Sequence, residues 1–199
     1  TESGFDIKVA TSSSMTGAWS SVEIIAQIPS GSNDPDIEVS LGANQVSTVI
    51  FTDADREIIW GSWRSASNPE WETPVTLSTG LSTILHLDVG PLATSAFISF
   101  RGYDTVTGSN RAFAIDWYQT VATTPTAVDV SSTNTKQVTE VLQVTDGDDD
   151  AMIVWLQDAV ASTTDTVWGN IWDGSTWLGL QQLSTSTGST AVSTLAIGH

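Results

Sequence analysis

The 199-residue chain has no cysteine, only two histidines, and Lys+Arg 6 against Asp+Glu 23, a formal net charge of −17 at pH 7. Without thiols there is no disulfide, no zinc–thiolate centre and no cysteine nucleophile. With so few cations, electrostatic capture of nucleic acid or of an anionic lipid surface is excluded, and membrane insertion is not expected because no stretch reaches the ~20 apolar residues of a span. The opening residues TESGFDIK lack the basic-then-apolar order of a secretory signal. No window of about a dozen residues repeats apolar side chains at the helical period, so almost no helix is expected. What the chain does have is 40% hydrophobic residues and nine Trp, with only 15% charged residues. That is enough apolar surface for a sizeable core. An acidic, Ser/Thr-rich, cysteine-free chain with only Lys8 and Lys136 as lysines fits an extracellular protein, secreted or on the surface of a bacterium or archaeon, and the start at Thr1 reads as a trimmed piece, either a mature secreted protein or a segment of something longer.

Three tryptophans recur at a constant interval. Trp19 and Trp71 are 52 residues apart, Trp71 and Trp177 are 106 apart, and each stands six residues before an apolar residue in a β-branched run (Ile25, Leu77, Leu183). A fourth frame position falls at Thr124, with Val130 six residues later. Upstream of each frame position lies an alternating segment: DIKVATSS, REIIWGSW, RAFAIDWY and DTVWGNIW. Before these come the apolar runs STVIF, SAFISF and AMIVWL, and before those IEVSLG, ILHLDVG and EVLQVT, with VSTLAIG closing the chain. Period-two alternation and short apolar runs bounded by Gly, Asn, Asp and Pro are strand and turn chemistry. Four strand types therefore recur in fixed order along the chain, here termed first, second, third and fourth.

Such a repeat of about 53 residues is the signature of propeller blades, because one four-stranded sheet cannot bury either face alone, whereas stacking on its neighbours buries both. The expected fold is an all-β propeller of four-stranded antiparallel blades. It divides into a part-blade at 5–28, blades at 36–79, 83–132 and 138–186, and the first strand of a further blade at 192–198. Three blades and two part-blades are too few for an ordinary ring, so completion by another chain, by further sequence or by a homo-oligomer is expected. Trp19, Trp71 and Trp177 are assigned to packing between blades.

The segments DGDDDAMIVW (146–155), DTVWGNIWDGSTW (165–177) and LQQLS (180–184) resemble bacterial secreted propeller repeats of the sialidase-like, BNR-related group, and REIIWGSWRSASNPEW (56–71) looks like a second copy. For a sialidase the resemblance implies converging arginines, here drawn from Arg56, Arg64, Arg101 and Arg111, and a nucleophile at Tyr103 or Tyr118. The Asp position of its Asp-box is occupied here by Trp172. The segment from Asp53 to Trp60, and WDGSTW, are also similar to fucose-binding propeller lectins. That similarity implies a glycan held by Arg56 and Glu57 and stacked on Trp60, with Trp168 and Trp172 as further candidates.

The remaining constellations are sparse. His86 lies mid-strand and His199 ends the chain, too few for a triad. Thr1 offers an amine-activated hydroxyl but no base motif accompanies it. Asp146, Asp148 and Asp150 form a candidate calcium loop, because hard cations take several carboxylate oxygens at a Gly-permitted bend; a solvated turn is the other reading. No other cofactor is implied. The sequence thus points to a non-catalytic module that binds protein partners or assembles, with carbohydrate binding as the alternative and sialidase-like hydrolysis third.

Overall fold

The computed structural model describes residues 4–12, 16–42, 46–78, 80–118, 121–122, 124–128, 136–159 and 166–184. The expected strand at 192–198, Val130, Thr1 and His199 lie outside the described residues. Among those described, every regular element is a β-strand: β1 (Phe5–Val9), β2 (Glu23–Ile28), β3 (Ile37–Leu41), β4 (Ser47–Thr52), β5 (Ile59–Arg64), β6 (Val75–Ser78), β7 (Ser82–Pro91), β8 (Ala96–Asp104), β9 (Ser109–Tyr118), β10 (Val121–Ala122), β11 (Thr126–Ala127), β12 (Lys136–Thr145), β13 (Asp150–Ala159), β14 (Thr166–Asp173) and β15 (Gln181–Gln182).

The strands form four antiparallel sheets whose spatial order follows the chain. The first sheet is β1–β2, the second β3–β4–β5–β6, and the fourth β12–β13–β14–β15. In the third, β7, β8 and β9 lie in order and the outer position is shared by β10 and β11, both paired with β9. Chain-neighbour pairing needs only short connections, which is why alternation and turn residues suffice to specify it.

Side-chain alternation then sends each strand's residues to two different neighbours. In β4, Ile50 joins an apolar layer with Ile84, Ile98, Phe100 and Ile115 of the third sheet, whereas Phe51 packs with Ile7 and Ile28 of the first. In β8 the even positions Ile98 and Phe100 face the second sheet, while Phe97 faces the fourth and packs with Ile153 and Trp155. Three apolar layers therefore join four sheets, each layer linking two that are consecutive in the chain. A strand covered on both sides reads as an unbroken apolar run, and STVIFT and AFISF do so.

The layers hold large aromatic rings where the facing backbone is bare. Trp117, only 2% exposed, lies so close to Gly61 that a β-carbon there would come within 2.6 Å of its ring, and Leu77 closes the same space. Phe100 stacks on Phe113 with ring centroids 5.4 Å apart. Between the third and fourth sheets, buried polar groups add cross-links: Gln143 Nε2 donates to the Phe97 carbonyl (3.1 Å) and Arg101 Nη1 to that of Thr139 (2.9 Å).

Candidate interaction surface

The first strands of the second, third and fourth sheets lie side by side, β7 touching both β3 and β12. β7 is bulged at two places, and His86 and Thr83 adopt φ of 51° and 56°. Arg56, in the β4–β5 turn, has φ of 59°, and its carbonyl accepts the Ile84 amide at 2.7 Å. The left-handed region is costly for side chains of this size, so these three positions hold their conformation against local preference. Charged groups gather along the same edge. Burial raises the Glu38 carboxyl above its ordinary value, and the neighbouring Asp88 and Asp36 add to the effect. Burial likewise raises Asp88, against backbone hydrogen bonds from Val89 and Gln143. It lowers the His86 imidazole, helped by Arg101 and opposed by Glu140, Asp36 and a backbone hydrogen bond with Thr139.

The residues expected to hold a glycan are not gathered in one cleft. Arg56 Nη2 bonds Asp36 Oδ1 at 3.0 Å and the Asp34 carbonyl at 3.3 Å, so its fork is occupied by its own sheet. Glu57 is exposed, its amide held by Asp53 Oδ1 at 2.7 Å. Trp60 packs against the layer of Ile7, Ile28 and Phe51. Trp168 and Trp172 belong to the fourth sheet and pack against the layer built around Trp155, with Trp168 Nε1 donating to Thr166 Oγ1 at 2.9 Å. The other arginines likewise have separate partners: Arg64 lies over the Trp71 ring at 5.3 Å, Arg101 holds Thr139, and Arg111 pairs with Asp104 at 3.5 Å.

The turn at Asp146, Asp148 and Asp150 joins β12 to β13. Asp146 Oδ1 accepts the Asp148 amide at 2.9 Å, Gly147 takes φ of 83°, and the Asp148 carbonyl accepts the Ala93 amide of the third sheet. Among the described residues no three His, Asp or Glu side chains are grouped as metal ligands, so the calcium expectation finds no donor set here. A similar device closes the WDGSTW turn. Asp173 Oδ1 accepts from the amides of Thr176 (2.8 Å) and Ser175 (3.0 Å) and from the Ser175 hydroxyl (2.8 Å), and these bonds hold its carboxyl below the usual range.

The frame tryptophans occupy one recurring place, the return from third to fourth strand. Trp19 bridges Ser12, Trp177 bridges Trp172, and beside Trp71 the Glu72 amide donates to the Trp63 carbonyl. Their surroundings differ. Trp177 meets Phe97 of the neighbouring sheet edge-on at 5.9 Å, Trp71 lies under Arg64, and Trp19 is 71% exposed. Trp19 therefore does not pack between sheets; Trp117 and Trp155 are the deeply buried indoles.

Among the described residues two apolar surfaces remain open, one beside the short first sheet and one on the outer face of the fourth. In β3, Ile37, Val39 and Leu41 are 48%, 68% and 70% exposed. They sit opposite Phe51, Val49 and Ser47, hence on the side of the second sheet that faces the first. The first sheet covers Phe51 but stops short of β3. At the other end, Met152, Ile171 and Leu183 share the face of the fourth sheet turned away from Ile153 and Trp155. Ile171 and Leu183 are exposed beside an opening of about 300 Å³ between Val144, Met152 and Ile171. Strict alternation in IEVSL, against the unbroken run VIF, was the sequence's signal that β3 has one uncovered side. No protein-family model matches this chain, and no curated protein sequence does.

Proposed function

We propose that the chain is a non-catalytic, propeller-type assembly module of an extracellular protein, whose four sheets are blades completed by another polypeptide. One observation carries this reading: the apolar layers between consecutive sheets are buried, whereas the β3 stripe that the two-stranded first sheet leaves uncovered and the outer face of the fourth sheet are apolar and open to water. Contiguous exposed apolar surface of that kind marks an interface in a soluble protein. Sheets that stack in chain order, each joined to the next by its own apolar layer, favour a radial arrangement over a two-layer sandwich.

Light scattering across a dilution series tests the assembly. Masses at multiples of the 21.1 kDa protomer are expected. A compact 21.1 kDa monomer at every concentration would overturn the reading. Carbohydrate binding stands second, because the Arg56 fork is already engaged with Asp36; glycan-array binding abolished by Trp60→Ala would reverse that ranking.

A further inference from the structure

We propose that Asp88 is a proton-operated latch between the third and fourth sheets, the junction holding more tightly when its carboxyl carries a proton than when it is ionised. The inference is independent of the assembly reading, since it concerns a contact inside one chain.

The place is set by the close approach of β7 and β12. A β-carbon on Gly90 would come within 2.6 Å of the Thr145 side chain, and Gln143 Nε2 donates to the Phe97 carbonyl at 3.1 Å. In the β7–β8 pair, Gly90 stands opposite Phe97 and Asp88 opposite Ser99. Residues paired across a ladder turn their side chains to the same side, and Phe97 is buried in the layer shared with the fourth sheet, so Ser99 and Asp88 face that sheet too. The Asp88 carboxyl accepts the Val89 amide at 2.8 Å and, across the junction, the Gln143 amide.

The oxygens around this carboxyl lack donors. Ser99 is 0% and Gln143 7% exposed, yet among the described residues neither Ser99 Oγ nor Gln143 Oε1 has a hydrogen-bond partner. Arg101 Nε, two residues along β8 from Ser99, is also unpaired and so reaches neither of them. Unpaired buried oxygens are costly, and an ionised carboxylate adds only further acceptors and a charge. A protonated carboxyl still accepts the two amides and offers its O–H to Gln143 Oε1, the side-chain oxygen of the residue whose amide it already holds.

The surrounding charges do not reverse this balance. On the second-sheet side, Glu38 is a carboxyl that Asp88 and Asp36 both disfavour as an anion. Arg101 commits Nη1 to the Thr139 carbonyl, and burial disfavours its cation; His86 and Glu140 lie beside that pair. Burial therefore outweighs the two amide bonds and raises the Asp88 carboxyl above its ordinary value. A carboxyl raised on folding contributes stability that is fully present below its unfolded value of 3.8 and is lost as pH climbs through the folded one. The junction thus loosens from acid toward neutral pH.

Carbon-13 NMR of the side-chain carboxyls reads the titration directly, and an Asp88 midpoint above 3.8 is expected. Asp88→Asn keeps an acceptor for the two amides and supplies a permanent donor, so the variant should unfold at higher denaturant than the parent chain at neutral pH, the gap closing as pH falls through the Asp88 midpoint. Amide exchange in β12, corrected for its intrinsic rate, should slow over the same range in the parent and stay level in the variant. A midpoint at or below 3.8 would overturn the proposal whether or not the variant folds. So would a variant no more stable than the parent at neutral pH, or β12 exchange that ignores the protonation of Asp88.

Discussion

The third sheet and the first are made of similar strands and meet opposite fates. In the third, Ile98, Phe100 and Ile115 are 0% exposed toward one neighbour, and Phe97 and Ala112 are buried toward the other. In the first, Ile7 and Ile28 are buried, while Ile24 faces water at 51%. β-branched and aromatic composition makes both into strands. What decides burial is whether another sheet stands opposite, which is a property of the series and not of the strand.

The largest effect is expected at the centre of the series. Phe100→Ala removes a ring stacked on Phe113 and covered on all sides, and should cost about 3–5 kcal/mol in chemical denaturation. A loss below about 1 kcal/mol would mean that the central layers are not close-packed. A smaller effect belongs to the turn between β8 and β9, where Asp104 Oδ1 accepts the Val106 amide at 2.9 Å and Oδ2 the Thr107 hydroxyl at 2.9 Å, with Arg111 nearby. Burial alone would raise this carboxyl, but the hydrogen bonds from Val106, Thr107 and Arg111 prevail and hold it below its ordinary value. A depressed carboxyl contributes stability above its unfolded value of 3.8 and loses it as pH falls through the folded one. Asp104→Asn should therefore cost on the order of 1 kcal/mol at neutral pH, with the gap from the parent chain closing below the carboxylate range. Denaturation midpoints read across pH would expose a gap that stays constant. Smallest of all, Val39→Ala should change the stability of the dilute monomer by no more than about 0.5 kcal/mol, since its side chain already faces water. A core-sized penalty there would mean that the stripe is covered within one chain.

Strand order, turn positions and the recurrent place of Trp19, Trp71 and Trp177 were legible because alternation, Gly/Asp chemistry and a fixed interval are local signals. Partners across sheets were not. Trp117 sits in an alternating strand much as Trp60 and Trp168 do, and Trp155 in the apolar run AMIVWL; the bare backbone of Gly61 opposite Trp117, and the layer of Val138, Val141 and Ile153 around Trp155, make them core. Arg56 read as a free cation next to Glu57; its carboxylate, Asp36, lies 20 residues earlier in the approach to β3. Among the described residues the outer position of the third sheet is held by two short pieces, β10 and β11, one on either side of Thr124, which stands where the other frames have tryptophan.

The one-to-next linkage of the sheets has a dynamic corollary. Cooperative units that lean only on their immediate neighbours behave like beads on a line, and such a line loosens from its tips inward. Amide protons of β8 and β9 would then be the last to exchange with deuterium and those of β1 and β2 among the first. Joining a further chain at either tip would slow that fraying in the adjacent sheet well before any change reached the middle.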